Sequence, residues 1–256
     1  MGSIIVFANQ KGGVGKTTSP VNLGAYLAEL GKSVLLVDFD PQCNLSSSVG
    51  ADAGEGGIYE LITGRDDPAA YVRDTSVDRL KIIPASPDLS GATVELVEEK
   101  NREYFLKTAL SRLRDQYDFI FIDCPPSLGI LTLNGLTAAD EVFIPLQTEY
   151  FALEGITQLM QSIKMVQRSS NPKLGIGGII FTMYDSRTRL AQDVVKEVVG
   201  YFGNLVFKTI IPRNVRLSEA PSHSVPISQY DPGCAGAMSY RELAREVISR
   251  KAAPHG

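Results

Sequence analysis

The sequence predicts an α/β fold, a doubly wound and mostly parallel sheet flanked by helices, and three observations support this. Short apolar runs recur along the chain, and most lack the polar/apolar alternation of a sheet with one solvated face. Longer segments with helical periodicity lie between these runs, which is the order of βαβ crossover units. The composition, 44% hydrophobic and 21% charged, is typical of a globular chain.

The predicted strands are short and apolar, and the predicted helices alternate with them. We expect strands at Ile4–Ala8, Val34–Val37, Leu80–Pro84, Phe119–Ile122, Val142–Pro145, Ile176–Phe181 and, as a shorter seventh, Leu205–Lys208. We expect helices at roughly 16–30, 92–115, 129–138, 151–168, 188–202 and 239–250. No repeat or low-complexity linker interrupts this order, so we expect residues 1–256 to form one domain.

The composition also bears on cellular context. No apolar run approaches the ~18 residues that a transmembrane helix needs. The first residues show neither the basic segment nor the cleavage site of a signal peptide. The three cysteines are widely spaced and odd in number, which argues against a disulfide framework. We therefore expect a cytoplasmic protein with free thiols.

Charge is distributed unevenly along the chain. Residues 164–251 contain 13 Lys and Arg against 7 Asp and Glu, a balance of +6, whereas the rest of the chain has 12 against 22, a balance of −10. A basic last third can attract a polyanionic partner. The alternative is a solvated surface whose charge is merely uneven, and composition alone does not separate the two.

A glycine-rich loop follows the first predicted strand and precedes the first predicted helix. This order is the context of a phosphate-binding P-loop, in which glycines let backbone N–H groups turn toward an anion. The following helix adds unpaired N–H groups and a positive dipole end. We expect Lys16 to reach the β and γ phosphates of a nucleotide and the Thr17 hydroxyl to bind Mg²⁺. The residues expected to contact the nucleotide are Lys11, Gly12, Gly13, Val14, Gly15, Lys16, Thr17 and Thr18.

Carboxylates end two of the predicted strands. Asp38 and Asp40 follow Val34–Val37, and strand alternation places both on the same side. Asp123 follows Phe119–Ile122, which is a Walker B pattern, so we expect it to bind the Mg²⁺ shell through water. The alternative for Asp123 is a helix-capping aspartate. The carboxyl ends of the strands in an open α/β sheet face the ligand crevice, and we expect these carboxylates to meet there.

The string KGGVGKTT at 11–18 resembles the deviant Walker A motif of the ParA/MinD ATPases. The resemblance implies that Lys11 reaches across a dimer interface to the partner's ATP, and that the homodimer forms only with ATP bound. It also implies that Asp40 supports hydrolysis by orienting water and helping to hold Mg²⁺, with Asp38 in a structural role. The chain has Cys43 where that family usually has glycine, which puts the flexibility of this loop in question.

Two later strips resemble the Soj-type chromosome-partitioning ParA proteins. In the strip 210–222, the resemblance implies that Pro212 and Asn214 contact adenine and that Arg216 contacts DNA. In the strip 181–189, it implies the same DNA role for Arg187. Arg189 and Arg213 are weaker candidates. Exposed arginines attract phosphates without reading sequence, so we expect non-specific binding to double-stranded DNA. The alternative is that these arginines form local salt bridges.

The Soj resemblance implies an ATPase for DNA segregation. A ParB-type protein would stimulate hydrolysis, weak by itself, and so release the nucleoid-associated dimer from DNA. A related ATPase that positions another cargo on the nucleoid would share every motif, so this alternative stays open. A MinD-type membrane-surface ATPase needs an amphipathic C-terminal helix. The chain after 250 is short, lacks bulky apolar residues and contains a proline, so no membrane partner is expected.

Overall fold

Buried parallel strands form the centre of the molecule. The computed structural model describes residues 2–54, 56–64, 67–150 and 152–252. Its strands are β1 Ser3–Phe7, β2 Val34–Asp38, β3 Arg73–Asp74, β4 Leu80–Ile83, β5 Phe119–Asp123, β6 Glu141–Gln147 and β7 Gly175–Thr182. They form one sheet in the order β3-β4-β2-β5-β1-β6-β7, parallel except for β3. The predicted fold class is confirmed, although the sequence pattern did not indicate β3.

Helices cover both faces of this sheet. They are α1 Thr18–Glu29, α2 Asn44–Ser48, α3 Ile58–Thr63, α4 Leu89–Glu95, α5 Phe105–Ser111, α6 Ile130–Ala138, α7 Ala152–Arg168, α8 Arg189–Phe202, α9 Arg216–Glu219, α10 Ile227–Tyr230 and α11 Ala235–Ala252. The start of the predicted helix 151–168 includes Phe151, which lies outside the described residues. No helix in the described ranges is long and apolar enough to cross a membrane.

The continuous apolar character of the strands follows from burial on both faces. In β1, Ile4 and Val6 pack in one apolar cluster, whereas Ile5 and Phe7 pack in the other. The second cluster also contains Leu23 of α1 and residues of α11. Each fully buried side chain of this size contributes about 1.5–3 kcal/mol relative to exposure. Both layers are therefore needed, because neither face of the sheet is polar enough to meet water.

Two predicted elements are wrong. Leu205–Lys208 is not a strand, because a 3₁₀ turn spans Gly203–Leu205 and Val206 makes only an isolated bridge to Ile179. The N–H groups of Lys208 and Thr209 donate to the Glu246 carboxylate, so a side chain takes the donors that a strand would use.

The predicted helix 92–115 is instead several short pieces. Two 3₁₀ turns, Leu96–Glu98 and Arg102–Tyr104, separate α4 from α5. Asn101 between these turns has a φ of 58°, a left-handed conformation that ends helical periodicity. The sequence predicted one helix because the apolar residues keep helical spacing across the two 3₁₀ turns.

Strand register brings the important strand ends together. Phe7 of β1 and Asp38 of β2 both lie beside Asp123 of β5. The segments that follow these three strands therefore leave the sheet side by side at its carboxyl edge. This edge of an open α/β sheet is where ligands bind.

Replacement of Gly178 by alanine tests the packing of the strip that was wrongly predicted as a strand. A Cβ at Gly178 would lie 2.2 Å from the Phe207 ring. That ring is buried and held between Phe143 and the Arg250 guanidinium. We expect Gly178→Ala to lower the free energy of unfolding by about 1–3 kcal/mol, measured by urea denaturation.

Gly200→Ala is the matched control, because a Cβ there meets no atom within 4 Å. Since Gly200 lies inside α8, alanine should raise the free energy of unfolding by about 0.4–1 kcal/mol. Equal effects of the two substitutions would contradict the packing argument.

Candidate functional site

The loop between β1 and α1 has the backbone of an anion-binding site. Gly13 and Gly15 have φ values of 71° and 84°, in the left-handed region that glycine tolerates. Val14 between them is buried, and the N–H of Ser19 donates to the Gly15 carbonyl as helix α1 begins. Pro20 lies in the first turn of α1, where its missing N–H matters little. The segment predicted from its glycines thus adopts the expected turn.

Lys16 is folded back into its own loop. The residue is 7% exposed, and its ammonium donates to the Lys11 carbonyl at 2.7 Å. Desolvation by burial lowers the pKa of Lys16, and the charges of Asp123 and Asp40 act in the opposite direction. A buried ammonium next to backbone donors is suited to a group with several negative charges.

Lys11 is oriented differently. Its side chain is 42% exposed and forms an ion pair with Glu149, which follows β6. Its N–H donates to the side chain of Asn9 at 3.0 Å, and Asn9 in turn donates to the Pro145 carbonyl at 2.8 Å. The loop is therefore fastened to the end of β6, while the Lys11 ammonium lies at the surface.

Asp38 is a satisfied structural residue. Its Oδ2 accepts hydrogen bonds from the N–H of Ser46 at 2.8 Å and from the Ser46 hydroxyl at 2.6 Å. Burial raises the pKa of Asp38 to about 6, and these hydrogen bonds oppose the rise. The Ser46 hydroxyl also accepts the N–H of Ala85. Asp38 thus joins the end of β2 to α2 and to the segment after β4.

Asp123 presents the opposite case. It is buried, and neither carboxylate oxygen has a hydrogen-bond partner within the described residues. Burial, reinforced by the charge of Asp38, raises the pKa of Asp123 well above its ordinary value. The Thr17 hydroxyl lies near enough to oppose this rise without meeting hydrogen-bond geometry. A buried carboxylate without a partner is costly unless a cation or bound water faces it.

Asp40 lies close enough to Lys16 and Asp123 for its charge to affect the pKa of both. It is 8% exposed, and its Oδ1 accepts the N–H of Gln42 at 3.0 Å. Within the described ranges, no group of three or more His, Cys, Asp or Glu side chains is arranged to hold a metal alone. Mg²⁺ is typically bound by one or two protein groups together with substrate phosphates and water. The unpartnered Asp123 carboxylate, with Thr17 beside it, fits that pattern.

Cys43 adopts the conformation that glycine favours. Its φ is 55°, in the left-handed region, directly before α2. A non-glycine residue there is strained by roughly 1–2 kcal/mol. The departure from the family pattern therefore falls at a position where the backbone has a use for glycine.

The two strips with arginines lie next to each other. The N–H of Tyr184 donates to the Ile211 carbonyl at 3.1 Å, and the N–H of Arg213 donates to the Tyr184 carbonyl at 3.0 Å. The first strip leaves β7, whose last residue, Thr182, donates to the loop carbonyl of Val14 at 2.8 Å. Pro212 and Asn214 thereby share one edge of the molecule with the loop.

The arginines are exposed and also paired. Arg187, 84% exposed, donates to both carboxylate oxygens of Asp185. These hydrogen bonds lower the pKa of Asp185 to about 2. Arg216, 50% exposed, pairs with Glu219 at 2.8 Å and Asp231 at 3.5 Å. Exposed pairs are typically worth only about 0–1 kcal/mol, so these guanidinium groups remain accessible to a competing anion.

The weaker arginine candidates are also at the surface. Arg189 is 94% exposed, 3.8 Å from Asp193, and Arg213 is exposed beside Tyr184. Local salt bridges, the alternative left open by the sequence, are therefore present at Arg187, Arg189 and Arg216. Because these side chains are exposed, phosphates can also reach them.

Three residues that contact the loop or its lysines were not singled out from the sequence. They are Asn9, Glu149 and Thr182. Asn9 had a local signal, an Asx-type residue two positions before the N–H that it accepts. Glu149 and Thr182 lie 138 and 168 residues from their partners, and only the assembled sheet brings them there.

The fold and the site define a P-loop NTPase. Strand β1 leads into a loop with two left-handed glycines and a buried lysine, and the adjacent β5 ends in a buried carboxylate that has no hydrogen-bond partner in the described part of the chain. A family model described as an AAA domain matches residues 2–176. The chromosome-partitioning ATPase Soj of Treponema pallidum is 64% identical over 250 residues, 98% of this chain and 98% of that protein. The sporulation initiation inhibitor protein Soj of Bacillus subtilis is 52% identical over 251 residues, 97% and 99% of the two chains. The chain belongs to the Soj/ParA family of chromosome-partitioning ATPases.

Solved structures of the same fold contain nucleotide and magnesium. Cobyrinic acid a,c-diamide synthase from Mycobacterium smegmatis with bound ADP and magnesium has a TM-score of 0.85 at 40% identity, covering 98% of this chain and 96% of that one. MinD from Pyrococcus horikoshii complexed with Mg-ADP has a TM-score of 0.79 at 26% identity, covering 98% of each chain. These ligands are consistent with nucleotide and Mg²⁺ binding by this fold.

Proposed function

We propose that this protein is a ParA-type DNA-segregation ATPase that dimerises with ATP, binds double-stranded DNA without sequence preference, and leaves DNA when hydrolysis is stimulated by a ParB-type partner. The observation that carries the proposal is the division between the two lysines of one loop. Lys16 is buried inside the loop, whereas Lys11 is exposed at its edge. A buried lysine serves the nucleotide of its own chain, and an exposed one is placed to serve a neighbour.

The chain's own residues support ATP hydrolysis. Lys16 and the N–H groups of the loop hold the β and γ phosphates. Mg²⁺, held by the Thr17 hydroxyl and through water by Asp123, would neutralise charge on the phosphate oxygens. Asp40 orients the attacking water and helps to hold Mg²⁺. Lys11 of the second subunit stabilises the negative charge that develops during transfer.

The base of the nucleotide is assigned to the strip that pairs with Tyr184. Pro212 offers an apolar surface, and the Asn214 amide offers both a donor and an acceptor. The Asn214 oxygen accepts the N–H of Arg216 at 3.0 Å, which fixes this side chain next to the proposed DNA contact. Adenine binding and the position of Arg216 are thereby linked through one residue.

DNA binding is assigned to the exposed arginines. In this proposal, DNA phosphates replace the surface carboxylates that pair with Arg187 and Arg216, and Arg189 and Arg213 extend the contact. No base is read, because exposed guanidinium groups facing a phosphate backbone carry no sequence information. A dimer doubles this surface, which explains why ATP would be needed for tight binding. A cargo-positioning ATPase on the nucleoid is the second candidate, since it would use the same surface.

A DNA titration with ADP, ATP or a non-hydrolysable analogue tests this proposal. ATP and the analogue should promote binding to unrelated duplexes alike, with affinity that falls steeply with salt, and liposomes should not be bound.

Arg216→Glu should weaken DNA binding at least ~10-fold, because it replaces a phosphate contact by repulsion, while ATP-driven dimerisation persists. Lys173→Glu is the matched control, since Lys173 is exposed near the amino edge of the sheet. Unchanged DNA binding and salt dependence in Arg216→Glu would contradict the assigned DNA surface.

Replacement of Lys11 by alanine tests the role across the interface. We expect the variant to bind ATP, because Lys16 is intact. The free energy of its ATP-driven dimerisation should be less favourable by about 2 kcal/mol or more. Analytical ultracentrifugation with a non-hydrolysable ATP analogue measures this effect, with Lys173→Ala as the control. Normal dimerisation and turnover in Lys11→Ala would leave Lys11 as an ordinary surface charge.

Replacement of Asp40 by alanine separates binding from chemistry. The variant should form the ATP-dependent dimer but hydrolyse ATP about 10²-fold more slowly, because the attacking water loses its acceptor. Phosphate release is measured alongside dimerisation in the same samples. Wild-type turnover would remove Asp40 from the proposed mechanism.

A further inference from the structure

We infer that Thr182 is a positioning residue for the nucleotide, acting through the peptide between Val14 and Gly15. This inference rests on the proposed ATP site and adds a residue to it that lies 168 positions from the loop in sequence. Thr182 is the last residue of β7 and is 2% exposed. Its hydroxyl donates to the Val14 carbonyl at 2.8 Å across 168 residues of sequence.

The contact involves both branches of the side chain. The Thr182 methyl group lies 3.5 Å from the position that a Cβ on Gly15 would occupy. The hydroxyl holds the carbonyl side of the same peptide. Backbone pairing of Thr182 with Gln147 holds the residue itself in the sheet. A strand end therefore binds the carbonyl of this peptide, and its methyl group faces the Gly15 side.

The peptide concerned is one that could otherwise rotate. Gly13 and Gly15, on either side of Val14, both have positive φ, so the loop has little steric resistance to a peptide flip. In a trans peptide the C=O and the following N–H point in opposite directions. Because Thr182 holds the Val14 carbonyl toward itself, the Gly15 N–H points within the peptide plane away from Thr182.

This orientation matters for phosphate binding. A nest binds an anion only when its successive N–H groups converge, and Gly15 N–H belongs to the stretch that forms the nest. A loop that spends part of its time with this peptide flipped has a lower apparent affinity, in proportion to the competent fraction. Thr182 thus raises nucleotide affinity by keeping the loop in its binding form before the ligand arrives.

Thr182→Val and Thr182→Ser separate the hydroxyl from the rest of the side chain. Valine keeps the shape but removes the donor, so we expect ATP and ADP to bind about 3- to 10-fold more weakly. The KM for ATP should rise by the same factor, whereas kcat at saturating ATP should stay near the wild-type value. Serine keeps the hydroxyl and should restore most of the affinity. Fluorescent-nucleotide titration and steady-state hydrolysis provide these measurements.

Thr137→Val is the matched control, because it removes another buried threonine hydrogen bond, to Ser170 at 2.7 Å, near the amino edge of the sheet. It should lower thermal stability without changing nucleotide affinity. Thermal unfolding shows that each variant is folded. If the Thr182→Val protein does not fold, Thr182→Ala is used in its place. Wild-type affinity in Thr182→Val, or affinity in Thr182→Ser as weak as in Thr182→Val, would overturn the inference. Failure of the wild-type protein to bind ATP would instead overturn the proposed function.

Discussion

The parallel register of β1, β2 and β5 is the constraint on which the site depends. Because Phe7, Asp38 and Asp123 lie side by side, the segments after all three strands emerge at one edge of the sheet. The loop lysine and three carboxylates are thereby brought together although their segments are far apart in the sequence. A parallel sheet requires crossover connections, so helices cover both faces and the strand interiors must be apolar. Core composition and site position are two consequences of the same topology.

At that edge of the sheet, only some of the buried charged groups have hydrogen-bond partners within the described residues. Asp38 is satisfied by Ser46, whereas Asp123 is buried with no hydrogen-bond partner among the described residues. Lys16 is desolvated and donates to a carbonyl of its own loop. Polar groups in such a state are expensive to bury, and sites that bind ligands are where proteins retain them. Phosphates accompanied by a divalent cation would supply an acceptor for the lysine and a partner for the carboxylate.

The sequence predicted the parts of the structure that depend on local pattern. Glycine spacing, apolar runs and terminal aspartates belong to contiguous segments, and their elements were confirmed. The failures have causes that apolar spacing does not reveal. Glu246 captures the backbone donors of Lys208 and Thr209, and left-handed Asn101 interrupts a helix whose apolar spacing continues. Thr182 and Glu149 contact loop residues more than a hundred positions away, and no local pattern marks such partners. The arginines show a further limit, since exposure and pairing coexist at Arg187 and Arg216.

The two lysines of the loop are also linked through the backbone, and this link bears on the proposed dimer. Lys16 donates to the Lys11 carbonyl, while the Lys11 ammonium pairs with Glu149 at the surface. A nucleotide that draws Lys16 to its phosphates would free that carbonyl and loosen the backbone of Lys11. The exposed pair with Glu149 holds the side chain by only about 0–1 kcal/mol, so several phosphate charges outcompete one carboxylate. In the proposed function, occupation of the site within one chain therefore releases the lysine that serves the other chain, and ATP binding and dimerisation become one coupled event.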